Sequence, residues 1–214
     1  MMRLFGRNHD AKRRRALLER LGQDNPQFHM HEGKPTSWAP HLDTLRFLSS
    51  ELAPSMTTLE TGCGQTTVVF AIAGTRHFSV MPSADEAERV RQYCATVGLA
   101  ENITFVLESS DTALTRNGLV PDVLDVVLID GAHGFPAPIL DWHYTARKLK
   151  TGGLLGVDDY KMPSVRILYD FLRNEDEWKL LKISQNTAFF RKLGEPKDLV
   201  DWSGQKVNAG FRGW

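Results

Sequence analysis

The chain is poor in cysteine, has no excess of charge of either sign and contains no long apolar run, and each shortage removes a class of protein. Two cysteines, far apart as Cys63 and Cys94, cannot build the disulfide framework of a small extracellular scaffold. They suit a reducing compartment, and the cytoplasm is the expected location. Lys+Arg and Asp+Glu number 26 each, so no global field draws in nucleic acid or an acidic surface, and nucleic acid is not expected as a partner. No stretch approaches the roughly 18 consecutive apolar residues of a membrane span. The segment MMRLFGRNHDAKRRR also lacks the apolar region of a secretory signal. Internal repeats and low-complexity tracts are missing as well. What remains is a chain of 214 residues, 42% hydrophobic and 24% charged, of a size that buries its own core as one domain.

Three parts are expected: an N-terminal helical arm and cap over 1–55, a main domain over 56–193 and a polar tail over 194–214. In the arm, DAKRRRALLERL predicts a short helix over 10–21 with Leu17, Leu18 and Leu21 on one side. Its Arg13, Arg14 and Arg15 are read as a solvated face, because no basic stripe elsewhere extends them toward RNA. Gly22 to Ser37, with Pro26, Gly33 and Pro35, reads as a loop or extended arm. A helix from Trp38 to Leu52 follows, carrying Leu42, Leu45, Leu48 and Leu52 at helical spacing. The tail carries Trp202, Phe211 and Trp214 and is assigned no structure.

From Met56 the pattern alternates. Apolar or β-branched runs at MTTLE, HFSVM, ITFVL, LDVVLID and GLLGVD are each followed by a helical segment, as parallel strands with crossover helices require. These helices are expected over 66–73, 83–97, 110–117, 136–149 and 163–174, with Pro163 in the first turn of the last. WKLLKIS and TAFFRKL, joined only by Gln185–Asn186, predict a closing hairpin. The fold class is therefore α/β: a doubly wound, Rossmann-like sheet of seven strands, the last two an antiparallel hairpin, with helices on both faces. Such sheets bind ligands beyond the carboxyl ends of their strands, where the strand order reverses. The first strand ends at Glu60, and the turn Thr61-Gly62-Cys63-Gly64 leads into a helix near Thr66. Two glycines there allow a close backbone approach, and the helix start offers free N–H groups. A dinucleotide fingerprint asks for a third glycine where this chain has Thr67, so GxG alone also suits a tight turn without a ligand.

The run LETGCGQTT resembles the first motif of class I S-adenosylmethionine-dependent methyltransferases, an acid followed by GxG at the end of the first strand. The resemblance extends over roughly residues 30–193 through VVLIDGAHGFPAPILDWHYTARKLKTGGLLGVDD, which is similar to a small-molecule, O-methyltransferase-like subfamily with an IDGxH strand end. It implies S-adenosylmethionine as cofactor. By that resemblance Glu60, Thr61, Gly62, Cys63 and Gly64 surround its methionine part, with Glu60 near the ammonium and Cys63 a small loop residue rather than a nucleophile. The same resemblance implies that Glu108, Ser109 and Ser110 lie near the adenine. The chain departs from the family at the second strand, where Met81 stands in place of the acid that takes the ribose hydroxyls. Ser83 or Asp85 is the expected substitute.

Asp130 ends the fourth strand, and Asp158 with Asp159 ends the fifth. Neighbouring strands lie about 4.8 Å apart, so these acids converge. Oxygen ligands without a thiolate suit a hard cation such as Mg²⁺ or Mn²⁺, and catechol-type O-methyltransferases, which this arrangement resembles, use an Asp on each of these strand ends. His133, three residues beyond Asp130, is a candidate general base or further ligand. The alternative stays open: Asp130 bonding its own turn, Asp158 or Asp159 capping the helix at Pro163, and His133 a loop residue. His29 and His31 point the same way if their arm is extended, either closing over a substrate with Trp38 or lying in a surface loop. The expected function is methyl transfer to a small-molecule acceptor, at a hydroxyl oxygen, with divalent metal assistance and Asp130 and His133 catalytic. A homo-oligomer stays open. Two rival readings are a nicotinamide-dependent oxidoreductase, disfavoured by Thr67 and the closing hairpin, and a non-catalytic binding module, for which Met81 speaks. Amino methylation of nucleic-acid bases fits less well, since IDGA stands where those enzymes carry Asn/Asp-Pro-Pro-aromatic.

Overall fold

In the central strands, every other side chain goes to the opposite face of the sheet, and both faces find helices to pack on. Val126, Leu128 and Leu154 join one core, while Val127, Ile129, Leu155 and Val157 join the other. That is why these runs are apolar throughout rather than alternating. The computed structural model of the protein describes residues 2–99, 102–195 and 202–209. The chain runs α1 (Met2–Asp24), β1 (His29–His31), β2 (Lys34–Thr36), α2 (Leu42–Glu51), β3 (Thr57–Thr61), α3 (Gln65–Ala73), β4 (Arg76–Val80) and α4 (Ala84–Thr96). It continues through β5 (Ile103–Val106), α5 (Ser110–Ala113), β6 (Leu124–Ile129), α6 (Ala137–Ala146), β7 (Leu149–Val157), α7 (Pro163–Asn174), β8 (Trp178–Ser184) and β9 (Thr187–Lys192).

Seven strands form one sheet in the order β5-β4-β3-β6-β7-β9-β8. The first five pair in parallel, and β9 enters antiparallel between β7 and β8. This is the expected α/β sheet with its closing hairpin, and the order reverses at β3 and β6. Helices α1 to α4 supply one core, with Leu18, Leu21, Leu45, Leu48 and Val90 among its buried members. Trp142 from α6 and Leu168 and Leu172 from α7 belong to the other. Among the described residues, no helix is long and apolar enough to cross a membrane.

Several boundaries differ from those expected, each for a local reason. α2 starts at Leu42 rather than Trp38, because Pro40 disfavours helix in the residue before it and His41 caps the start by accepting from Asp43 N at 3.3 Å. The predicted loop over Gly22–Ser37 contains the end of α1 and the β1–β2 hairpin, turned by Glu32 and Gly33 at φ 50° and 75°. Strands of three residues, HMH and KPT, are too short to reveal an alternation. α5 covers Ser110–Ala113 instead of 110–117. In the tail, two short 3₁₀ turns occupy Trp202–Gly204 and Lys206–Asn208, while Phe211 and Trp214 lie outside the described residues.

Two cations hold helix ends to the body. Arg14 is not simply solvated: its guanidinium donates to Leu52 O at 3.1 Å and Ala73 O at 2.6 Å, binding the carboxyl ends of α2 and α3 to α1. These carbonyls have no partner within their own helices and carry the negative end of the helix dipole. Lys192, fully buried on β9, does the same beneath α6, donating to Ala146 O at 2.9 Å, Leu149 O at 2.6 Å and Glu195 at 2.9 Å. Replacing Lys192 by Met keeps much of the volume but strands both carbonyls. This should cost about 3 kcal/mol of stability in urea denaturation, and a loss under about 0.5 kcal/mol, typical of an indifferent surface site, would show that the ammonium contributes nothing.

Candidate active site

The ends of β3 and β6 form the floor of the site, and the turn after β3 is locked from beneath. Gly62 has φ 89°, and a Cβ built there would lie 2.1 Å from the carbonyl oxygen of Asp130. Glycine is therefore required by the protein's own backbone. A valine at Gly62 would strike the Asp130 carbonyl just past β6 before any ligand is involved. Gly62 N donates to Val80 O at 2.9 Å, and Ser79 Oγ donates to Gly62 O at 2.8 Å, tying the turn to β4.

Glu60 supplies the lock, and here the expectation is corrected. Its carboxylate is fully buried and lies outside the lining of the cavity rather than facing a ligand ammonium. Thr66 Oγ1 donates to Oε2 at 2.7 Å, and His77 Nε2 donates to Oε1 across 3.1 Å. Thr67 Oγ1 also donates to Oε1 while accepting from Gly64 N at 2.8 Å. The threonine in the third-glycine position thus links acid and turn. His77 is held in turn by Phe70, stacked at 4.1 Å, and by Thr58 Oγ1, 2.9 Å from Nδ1. An ionised carboxylate only accepts hydrogen bonds, and these donors engage both of its oxygens.

Above this floor opens a cavity of about 1070 Å³, at the upper end of what small-molecule sites enclose. Thr61, Gly62, Cys63, Gly64, Ser109 and Ser110 line it, as do Asp130, His133, Asp158 and Asp159. Glu108 does not: it pairs with Arg116 at 2.6 Å. Ser83 does not either, because its hydroxyl caps α4 by accepting from Glu86 N at 3.3 Å, and Asp85 is exposed outside the lining. Met81 lines the wall at the end of β4. Cys63 is buried, and burial followed by the fields of Glu60, Glu86 and Asp130 pushes its thiol far up, so it is no nucleophile at neutral pH. Burial alone pushes Cys94 up to about 11.

The acids on the strand ends meet. Asp130, His133 and Asp158 each present a ligand atom within 4.8 Å of the others, the group among the described residues with metal-holding geometry. Asp159 stands aside from this group: it has φ 49° and faces His133, Oδ2 to Nε2 at 4.0 Å. His133 lies beside the two acids. The imidazole Nε2 is buried without a hydrogen-bond partner, 3.8 Å from Asp130 Oδ1. Asp158 is anchored by Thr187 Oγ1 of β9. Burial, then the fields of Asp158 and Glu60, raise the Asp130 carboxyl well above its ordinary range. Burial likewise raises Asp158, against the hydrogen bond from Thr187. Two crowded carboxyls and an unpartnered imidazole nitrogen suit a bound divalent cation, which would return both acids to the ionised form.

The roof comes from elements that the strand pattern does not advertise. His29 and His31 do share one side of β1, and both meet Trp38, His29 stacked at 5.0 Å and His31 edge-on at 5.7 Å. His29 and the exposed Trp38 line the cavity. Gln185, Asn186 and Thr187, in and just after the β8–β9 turn, line it too, as do Glu86 and Asp111. Sequence reasoning missed these. Glu86 sits one helical turn past the cap of α4, a spacing that would have served as a signal. The hairpin turn gives no such sign, because only the return of β9 beside β7 brings it over the site.

With this geometry in place, comparison with known proteins adds a domain and a fold. Residues 59–160 match a family model described as a methyltransferase domain. The O-methyltransferase TomG from Streptomyces achromogenes, involved in tomaymycin synthesis and solved with SAM, superposes with a TM-score of 0.65 at 17% identity, over 80% of this chain and 89% of its own. An rRNA methylase from Streptococcus thermophilus superposes with a TM-score of 0.57 at 15% identity, over 74% of this chain and 99% of its own. No curated protein matches the chain.

Two measurements test the floor and the acids. Glu60→Gln should lower the melting temperature of the cofactor-free protein by several degrees, since the amide keeps one acceptor oxygen and sets an NH2 against a donor that meets the other; an unchanged melt would show that this buried lock contributes nothing. The raised carboxyls set a second expectation. The folded state holds protons that the unfolded chain releases above about pH 4, so stability falls as pH rises from there through the raised values. In chelator, the wild-type melting temperature should decline on going from about pH 5 to about pH 8, and Asp130→Asn should flatten that decline.

Proposed function

We propose, from the premise that residues 59–160 form a class I S-adenosylmethionine-dependent methyltransferase domain, that the protein methylates a hydroxyl oxygen of a small molecule with the help of Mg²⁺ or Mn²⁺. The observation that carries this reading is the Asp130–His133–Asp158 group, with its unpartnered imidazole nitrogen, at the edge of a cavity whose other wall is the glycine turn. S-adenosylmethionine supplies an electrophilic methyl group on sulfonium, and a divalent cation lowers the pKa of a phenol-like hydroxyl, ordinarily about 10, toward neutrality.

The chain's own residues do the rest. The Gly62–Gly64 turn and the first N–H groups of α3 give the amino-acid part of the cofactor a surface of bare backbone. Ser109 and Ser110 offer hydroxyls on the wall beside β5, where the base would lie. Asp130, His133 and Asp158 would hold the cation, and Thr187 keeps Asp158 turned toward it. Trp38, His29 and the β8–β9 turn cover the acceptor and keep water from it. In-line displacement depends on such positioning more than on any single proton transfer. A second, metal-free reading follows from the same nitrogen: His133 Nε2 is free to take the hydroxyl proton as general base.

Small molecules are favoured as acceptors over nucleic acid by the balance of 26 cationic and 26 anionic residues, despite the likeness in fold to an rRNA methylase. The oxidoreductase reading predicts a thermal shift with NAD rather than with S-adenosylmethionine. The binding-module reading predicts tight cofactor binding with no turnover on any acceptor.

The test is transfer of labelled methyl to a panel of catechols and other phenols, after dialysis against chelator and with Mg²⁺ or Mn²⁺ restored. Activity should return with metal. Asp158→Ala should leave cofactor affinity within about twofold and lower turnover by roughly a hundredfold. Equal losses of binding and turnover would count against the role of Asp158, and full activity in chelator would select the general-base reading.

A further inference from the structure

We propose that Glu86, presented from the first turn of α4, is the acid that takes the vicinal hydroxyls of the nucleoside ribose, in place of the residue at the end of β4. This rests on the cofactor reading above and goes beyond it. The strand end itself holds Met81, a buried thioether with no acceptor of use to two hydroxyls. Of the nearby polar residues, Ser83 is engaged as the α4 cap and Asp85 lies outside the cavity. Glu86 alone of these three lines it, beside Met81 and Pro82. Its carboxylate is close enough to the glycine turn for its field to help raise the Cys63 thiol.

Glu86 is also oriented from the opposite side. His29 Nδ1 of the N-terminal hairpin lies 3.4 Å from Glu86 Oε2, with the two side chains only 15% and 23% exposed. The other ring nitrogen of His29 lies 3.3 Å from where a Cβ of Gly64 would be. Arg89 Nε donates to Phe28 O at 2.6 Å, fixing the approach of the hairpin to α4. His29 therefore links the hairpin to both the glycine turn and Glu86. A carboxylate accepts from two adjacent hydroxyls at once, and such charge-assisted bonds are the stronger kind. Because Ser83 caps the helix through the backbone N–H of residue 86, removing the Glu86 side chain leaves that cap in place.

The experiment is calorimetric titration of the full chain with S-adenosylhomocysteine and with its 2′-deoxy analogue, for wild type, Glu86→Ala and Glu86→Gln. Wild type should prefer the ribo form by about tenfold or more. In Glu86→Ala the preference should collapse to near unity, through loss of affinity for the ribo form. Glu86→Gln, which keeps the shape and loses the charge, should fall between them and serves if the alanine variant fails to fold. Variants that keep the wild-type preference, or lose affinity for both ligands equally, overturn the role of Glu86 and leave the cofactor reading intact. A wild-type chain that binds neither ligand overturns the cofactor reading and this inference with it.

Discussion

A single buried carboxylate, Glu60, underlies the geometry of the site. It sits at the end of the central strand with Thr66, Thr67 and His77 donating to it, so the turn, the start of α3 and the neighbouring strand β4 are all referred to one charge. A buried anion without partners is prohibitively unfavourable, which gives the surrounding hydroxyls and imidazole little freedom to turn elsewhere. The consequence is a turn that cannot drift. Gly62 is driven against the backbone of Asp130 so closely that no side chain fits, and the first acid of the metal-like group is thereby placed at a set distance from the first loop.

The second acid is placed by different means. Asp158 follows β7, the strand beside β6, and Thr187 from the antiparallel β9 bonds its carboxylate. The closing hairpin thus acts twice, as an addition to the sheet and as a wall of the cavity through Gln185 and Asn186. Crowding the carboxyls of Asp130 and Asp158 is unfavourable in the free protein, as their raised affinity for protons records. A divalent cation would relieve that crowding.

Much of this was legible in the sequence. The five strand-like runs, the closing hairpin at Gln185–Asn186 and the helix beginning at Pro163 all appear with nearly the expected limits, since each is announced by local periodicity and turn chemistry. The β1–β2 hairpin was not, because strands of three residues are too short to carry a period. Arg14 looked like surface charge, yet it binds the ends of two helices remote in sequence. Glu60, Ser83, Glu108 and Asp159 were each given a ligand. The structure instead finds Glu60 at Thr66, Thr67 and His77, Ser83 at the cap of α4, Glu108 at Arg116, and Asp159 outside the metal-like group.

Sequence by itself determined the alternation of strands and helices, the glycine turn after the first strand and the acids at the ends of the fourth and fifth, because these depend on patterns spanning a few residues. Only the tertiary structure decided which acids face the cavity and which lock the floor. It brought His133 rather than Asp159 to Asp130 and Asp158, and it set Glu86 beside Met81 under His29. The reason is that a polar side chain's role follows from its partners and its access to solvent. For these residues the partners lie on elements that meet only when the sheet is complete.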